Sequence, residues 1–121
     1  MIITTGDADE QATGRASAYA EVVTAGTTSV DLTAALHALA ERGARHILVE
    51  GGPGLNAQLA AAGLLDEICL TLSPRVVGGD GPRLLAGAEL AHPLELEPVH
   101  LLEEDGFLFL RLRRRPVRDA G

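Results

Sequence analysis

Glu50 is followed by Gly51, Gly52, Pro53 and Gly54, and a short apolar stretch, 47–49, leads into it. Two adjacent glycines leave the backbone without Cβ atoms, so a ligand can approach it closely. Pro53 suits the first position of a helix, whose unsatisfied N–H groups and positive dipole end would then face the same space. Pyrophosphate is the natural guest for such a turn. The pattern is neither GxGxxG nor GxxxxGK[ST], and the second also needs a lysine that this chain lacks. A purely steric turn in a packed α/β unit explains the same glycines. Glu50 adds a chemical constraint. A carboxylate at the end of a parallel strand lies at the edge where α/β sheets bind ligands. It would repel pyrophosphate, so its partner would be a hydroxyl or amine on a second ligand.

The elements around this turn follow βαβ grammar. Residues 1–5, MIITT, read as a strand, 6–17 as a loop of turn formers, and 18–23 as a weaker strand. Asp31 is a good N-cap for a helix in which Leu32, Ala35, Leu36 and Leu39 mark one face, with Gly43 closing it. His37, beside that stripe, reads as a half-exposed structural residue. Residues 46–50, HILVE, read as a buried parallel strand. A helix from about Pro53 to Ala62 ends at Gly63, and 66–74 form another strand with Ile68, Leu70 and Leu72 on one face. Residues 75–93 are mostly loop. Asp105-Gly106 then joins two antiparallel strands, with Leu108, Leu110 and Leu112 towards the core and Phe107, Phe109, Arg111 and Arg113 opposite. Arg113 to Arg115 with Arg118 make a basic tail, read most simply as a solvated end; holding a 2′-phosphate is the alternative.

Composition narrows the function classes. The chain has 121 residues, enough for one domain with a single core. Its net charge of −7 disfavours a nucleic-acid partner, and three aromatic residues in all leave little for base stacking. All ten basic residues are arginine. The single cysteine, Cys69, lies in an apolar alternation and reads as a buried strand residue, so neither a disulfide framework nor a metal site is expected. No leader sequence or long apolar span is visible, which points to the cytoplasm and away from the membrane.

The segment LVEGGPGLNAQLAAAGLLDEICLTLSPRVVGG resembles the signature of the riboflavin-biosynthesis reductase domain, the NADPH-dependent 5-amino-6-(5-phosphoribosylamino)uracil reductase type. That family reads V-E-G-G-P-x-L, a helix, G-L-[LV]-D-E, and a strand ending in P-x-x-x-G. The resemblance implies a dihydrofolate reductase-like α/β fold: a Rossmann-like three-layer mixed sheet, parallel strands with helices, and a C-terminal antiparallel hairpin. It implies that Gly51, Gly52, Pro53, Gly54 and Leu55 wrap the NADPH pyrophosphate. Gly54 stands where the family often has Thr. Thr4 and Thr5 fall where the family handles the adenosine end and its 2′-phosphate. Glu50 falls where it places a carboxylate near the substrate, to position sugar hydroxyls or help move a proton.

The implied reaction is hydride transfer to a ribose-derived C1′ centre of a pyrimidine sugar phosphate. The family also carries N-terminal strands and a substrate motif that residues 1–121 lack, so the expectation is a truncated pyrimidine-reductase-like domain that forms a homodimer or larger assembly. Two other readings stand beside it. One is a non-catalytic nucleotide-binding or dimerising remnant. The other is a dihydrofolate reductase-type enzyme, against which the VEGGP glutamate and the L-L-D-E segment both argue.

Overall fold

A computed structural model describes residues 1–87 and 89–115. The chain divides into two compact units, Met1–Val49 and Glu50–Gly121, and each is described by itself.

In the first unit, β1 (Ile2–Thr4) and β2 (Val22–Thr24) form a parallel pair in the register Ile2–Val22, Ile3–Val23 and Thr4–Thr24. The connection between them is α1 (Glu10–Ser17), so residues expected to be loop form a helix instead. Asp9 is the reason: its carboxylate accepts from the Ala12 N–H at 2.7 Å, satisfying a donor that the first turn leaves open. Thr13 and Ser17, short polar residues that usually favour turns, here bond back to carbonyls one turn earlier. The βαβ unit thus lies at 2–24. The second helix, α2 (Leu32–Glu41), starts at Asp31, whose Oδ1 accepts from the Ala34 N–H at 3.0 Å. Gly43, at φ +87°, follows its end. Ala25 and Ala35 are the buried apolar residues of this unit, and His37 is exposed. Arg42 pairs with Glu21 and holds its carboxyl below the usual carboxylate range, chiefly by hydrogen bonding.

Residues 46–50 do not form a strand among the described residues. A strand is defined by its ladder partner, and β1 pairs with β2 while the other strands pair among themselves. Ile47 and Leu48 are accordingly exposed rather than covered on both faces.

The second unit holds α3 (Pro53–Ala61) and an antiparallel sheet of β3 (Glu67–Leu72), β4 (Leu96–Glu104) and β5 (Phe107–Arg114), in the order β3-β5-β4. The turn between β4 and β5 has positive φ at both Asp105 (49°) and Gly106 (79°), the geometry that matches strand twist in a two-residue hairpin. The Gly106 N–H donates to Glu103 Oε1 at 2.8 Å. A bulge between Pro98 and His100 breaks the β4 register once. Leu108, Leu110 and Leu112 alternate with Phe109 and Arg113 along β5, and the first three are half-buried while the other two are exposed. Cys69 is exposed, because it shares the outward pleat with Glu67 and Thr71 while Ile68 and Leu70 point the other way. Gly63, at φ +71°, ends α3, and its carbonyl accepts from Arg114 Nη1 at 2.6 Å. Ala57, Leu59 and Ala60 of α3 are buried. Arg118 of the basic tail lies outside the described residues.

Candidate functional site

The glycine turn enters α3 without a cap. Gly52 is the N-cap residue and has no side chain to offer, Pro53 occupies the first position, and the first turn holds no acidic residue. The first carbonyl bond of the helix runs from Asn56 N to Gly52 O at 3.1 Å. By helix geometry, the N–H groups of Gly54 and Leu55 have no carbonyl one turn behind them. Their direction coincides with the positive end of the helix dipole.

The backbone that leads into these donors is uncrowded at its glycines. A Cβ built on Gly52 meets nothing within 4 Å, and one on Gly54 meets only the Ala86 carbonyl at 3.9 Å. Gly51 has φ +80°, which an L side chain rarely adopts, and a Cβ there would stand 3.0 Å from Asn56 Nδ2. The Gly51-Gly52 peptide bond is cis. Glycine is therefore required at 51 by backbone conformation and leaves bare backbone at 52 and 54.

Asn56 is a residue that the sequence reading missed. Its Nδ2 donates to the Leu84 carbonyl at 3.3 Å, and the Ala86 N–H donates to the Pro53 carbonyl at 3.1 Å. Together they fasten the 84–86 segment beside the turn. The signal was a polar amide in the first turn of a helix that carries only one other polar side chain, Gln58.

Glu50, Gly51, Gly52, Pro53, Gly54 and Leu55 thus lie in one continuous turn of the second unit, with Glu50 exposed at its entrance. Thr4 and Thr5 lie in the first unit, half-buried at the end of β1. The Thr4 carbonyl accepts from Ala25 N at 2.8 Å, and that of Thr5 from Ala8 N at 3.3 Å. Among the described residues, no group of three or more His, Cys, Asp or Glu side chains is placed to hold a metal ion. No helix among them is long and apolar enough to cross a membrane.

Known proteins share this architecture. The RibD C-terminal domain profile matches residues 1–106. The 2,5-diamino-6-ribosylamino-4(3H)-pyrimidinone 5′-phosphate reductase of Methanothermobacter thermautotrophicus is 39% identical over 92 residues, covering 71% of this chain and 43% of that protein. The protein of the same name from Archaeoglobus fulgidus is 31% identical over 108 residues, covering 88% and 49%. The chain spans about half the length of these curated relatives or less. A crystal structure of a pyrimidine reductase-like protein from Corynebacterium diphtheriae superposes with a TM-score of 0.76 at 26% identity, over 94% of this chain and 49% of that one. A riboflavin biosynthesis protein from Shewanella shares the fold, at a TM-score of 0.66 and 19% identity. The α/β fold is dihydrofolate reductase-like, as in these reductase domains. With its profile match running from β1 to the hairpin turn, the chain belongs to the RibD C-terminal domain family.

Proposed function

We propose that this chain is the cofactor-binding part of an NADPH-dependent reductase acting on a ribosylamino-pyrimidine 5′-phosphate in riboflavin biosynthesis. One observation carries the reading: of the three helices among the described residues, α3 alone starts without a carboxylate cap, on bare backbone. The donors of Gly54 and Leu55, with the open space at Gly52, fit a pyrophosphate. NADPH, when bound, supplies the hydride. The chain's own part is to hold and orient. Gly51 sets the turn, Asn56 fastens the neighbouring segment, and Thr4 and Thr5 receive the adenosine end with its 2′-phosphate. Glu50 accepts hydrogen bonds from the sugar hydroxyls of the second ligand, or holds a proton beside it. The setting is cytoplasmic, and the chain self-associates as a homodimer or larger assembly.

The curated relatives are named for a diaminopyrimidinone, whereas the sequence signature resembles the aminouracil type. The two differ in the group at one ring carbon and share the ribosylamino phosphate on which the reaction falls. The test is an assay of the chain with NADPH and each compound in turn, following loss of reduced-nicotinamide absorbance. Turnover with either supports the reading. NADPH binding without turnover of either would favour the second reading, a nucleotide-binding or dimerising domain without catalysis. The exposed apolar side chains of Leu48, Val76 and Val77 speak for that alternative, since such groups call for cover.

A further inference from the structure

Residues 75–93, between β3 and β4, carry no helix or strand among those described. Loops of that length without secondary structure of their own commonly bind or cover ligands. Much of this one is unsupported. Val76 and Val77 are exposed, and a Cβ built on Gly78, Gly79 or Gly81 meets nothing within 4 Å. Among the described residues of the loop, two hydrogen bonds reach the rest of the unit, and both end on the first turn of α3.

Those two bonds differ in kind. The bond from the Ala86 N–H to the Pro53 carbonyl runs between backbones, and any residue but proline can make it at 86. The bond from Asn56 Nδ2 to the Leu84 carbonyl depends on one side chain. Asparagine is a weaker helix former than the alanines and leucines around it, so α3 gains nothing locally from having it there. Its amide also lies against the glycine turn: a Cβ on Gly51 would stand 3.0 Å from Nδ2 and 3.2 Å from Oδ1. The Ala86 carbonyl stands 3.9 Å from the place a Gly54 Cβ would take. One half-buried amide therefore joins the glycine turn, the first turn of α3 and the loop at 84–86.

We propose that Asn56 is a positioning residue for the dinucleotide cofactor, holding the 84–86 backbone as a fixed wall beside the glycine turn before the cofactor arrives. Ordering a loop at the moment of binding takes conformational entropy out of the affinity, and a wall already in place avoids that loss. The amide acts through the loop backbone and makes no bond to the phosphates itself. This role rests on reading the turn as a pyrophosphate cradle. It separates binding from stability. An amide that only held the fold together would lose both when removed, whereas a positioning amide loses affinity while α3 keeps or gains stability.

The experiment is a fluorescence titration of the full chain with NADPH, for wild type, Asn56→Ala, Asn56→Leu and Asn56→Gln, each with a thermal melt. Limited trypsin digestion, with and without NADPH, follows cleavage after the exposed Arg83. Every replacement is a better helix former than asparagine, so melting temperatures should hold or rise. Alanine and leucine lack the donor. They should raise the NADPH dissociation constant by about fivefold or more and speed cleavage after Arg83. Asn56→Gln keeps an amide on a longer stem and should recover part of both. Wild-type affinity in Asn56→Ala and Asn56→Leu, or cleavage at the wild-type rate, would overturn the proposal and leave the reductase reading standing. So would affinity and melting temperature falling together in all three variants. A folded wild type that binds no NADPH would overturn that reading and the proposal with it.

Discussion

At the start of α2, Gly26 adopts φ +90° and the chain folds back on itself. A Cβ there would stand 2.1 Å from the Ser29 carbonyl and 2.9 Å from Asp31 N, and Asp31 caps the helix with its own carboxylate. At the start of α3, Gly51 adopts φ +80°, but its nearest neighbour is the Asn56 amide, Gly52 faces open space, and the cap is missing. Both turns need a positive-φ glycine. In the first the space is filled by the protein's own backbone and the donors by its own carboxylate; in the second both are left for something else. Glycine at a strand or loop end is therefore ambiguous by itself. What distinguishes a steric joint from a cradle is whether the chain also satisfies the helix donors.

The largest effect expected is at Gly26. Gly26→Ala forces a Cβ into backbone that cannot swing away, in a conformation that alanine disfavours. It should destabilise the chain by about 2–3 kcal/mol, read by denaturant titration. Gly51→Ala faces the same backbone penalty against a movable amide, and should cost nearer to about 1 kcal/mol. Equal losses at the two positions would erase the contrast between a closed and an open turn. Smaller again, Asp31→Ala should cost about 1 kcal/mol or less by uncapping α2, while leaving NADPH affinity unchanged in a fluorescence titration.

The reason the sequence was legible at some of these positions and not at others is chemical. Asp31 before a 3.6-residue apolar stripe, Pro53 with Gly63, and Asp105-Gly106 are each local devices whose geometry is dictated by a residue or two, and each is found where it was expected. The helix α1 was hidden because Thr13, Gly14 and Ser17 read as turn formers, and only the structure shows the hydroxyls bonding back within the helix. The strand expected at 46–50 failed for the opposite reason: an apolar, β-branched run promises a strand, but pairing depends on a partner that no local signal specifies. Cys69 fell on the outward pleat because an alternating run does not by itself say which face is inward. The bare turn at 51–54 was visible as a choice between two readings. Its missing cap and the Asn56 tether emerge only in three dimensions.

The smallest expected effect lies at the sheet surface. A hydrogen bond from Arg111, with help from Arg113, holds Glu67 below the usual carboxylate range. A carboxyl whose folded-state pKa is depressed adds stability above its unfolded value and loses it as pH falls through the folded one. The difference in melting temperature between wild type and Glu67→Gln should therefore be largest near neutrality and close as the solution is acidified. It should also shrink with added salt, because Glu67 and both arginines keep access to solvent.

The central claim, that the turn into α3 cradles a pyrophosphate, is tested most directly by Gly52→Asp. The residue has ordinary φ (−75°) and open space around its Cβ position, and an Asp there would act as the cap that α3 lacks. The measurement is a paired titration of wild type and Gly52→Asp with NADPH, followed by nicotinamide fluorescence, which no tryptophan in this chain obscures. A thermal melt of each accompanies it. The account predicts saturable binding by the wild type, weakened at least about a hundredfold in the variant by charge repulsion and occupied donors, with a melting temperature unchanged or higher. Equal NADPH affinity in the two folded proteins would contradict it and leave the turn a steric joint.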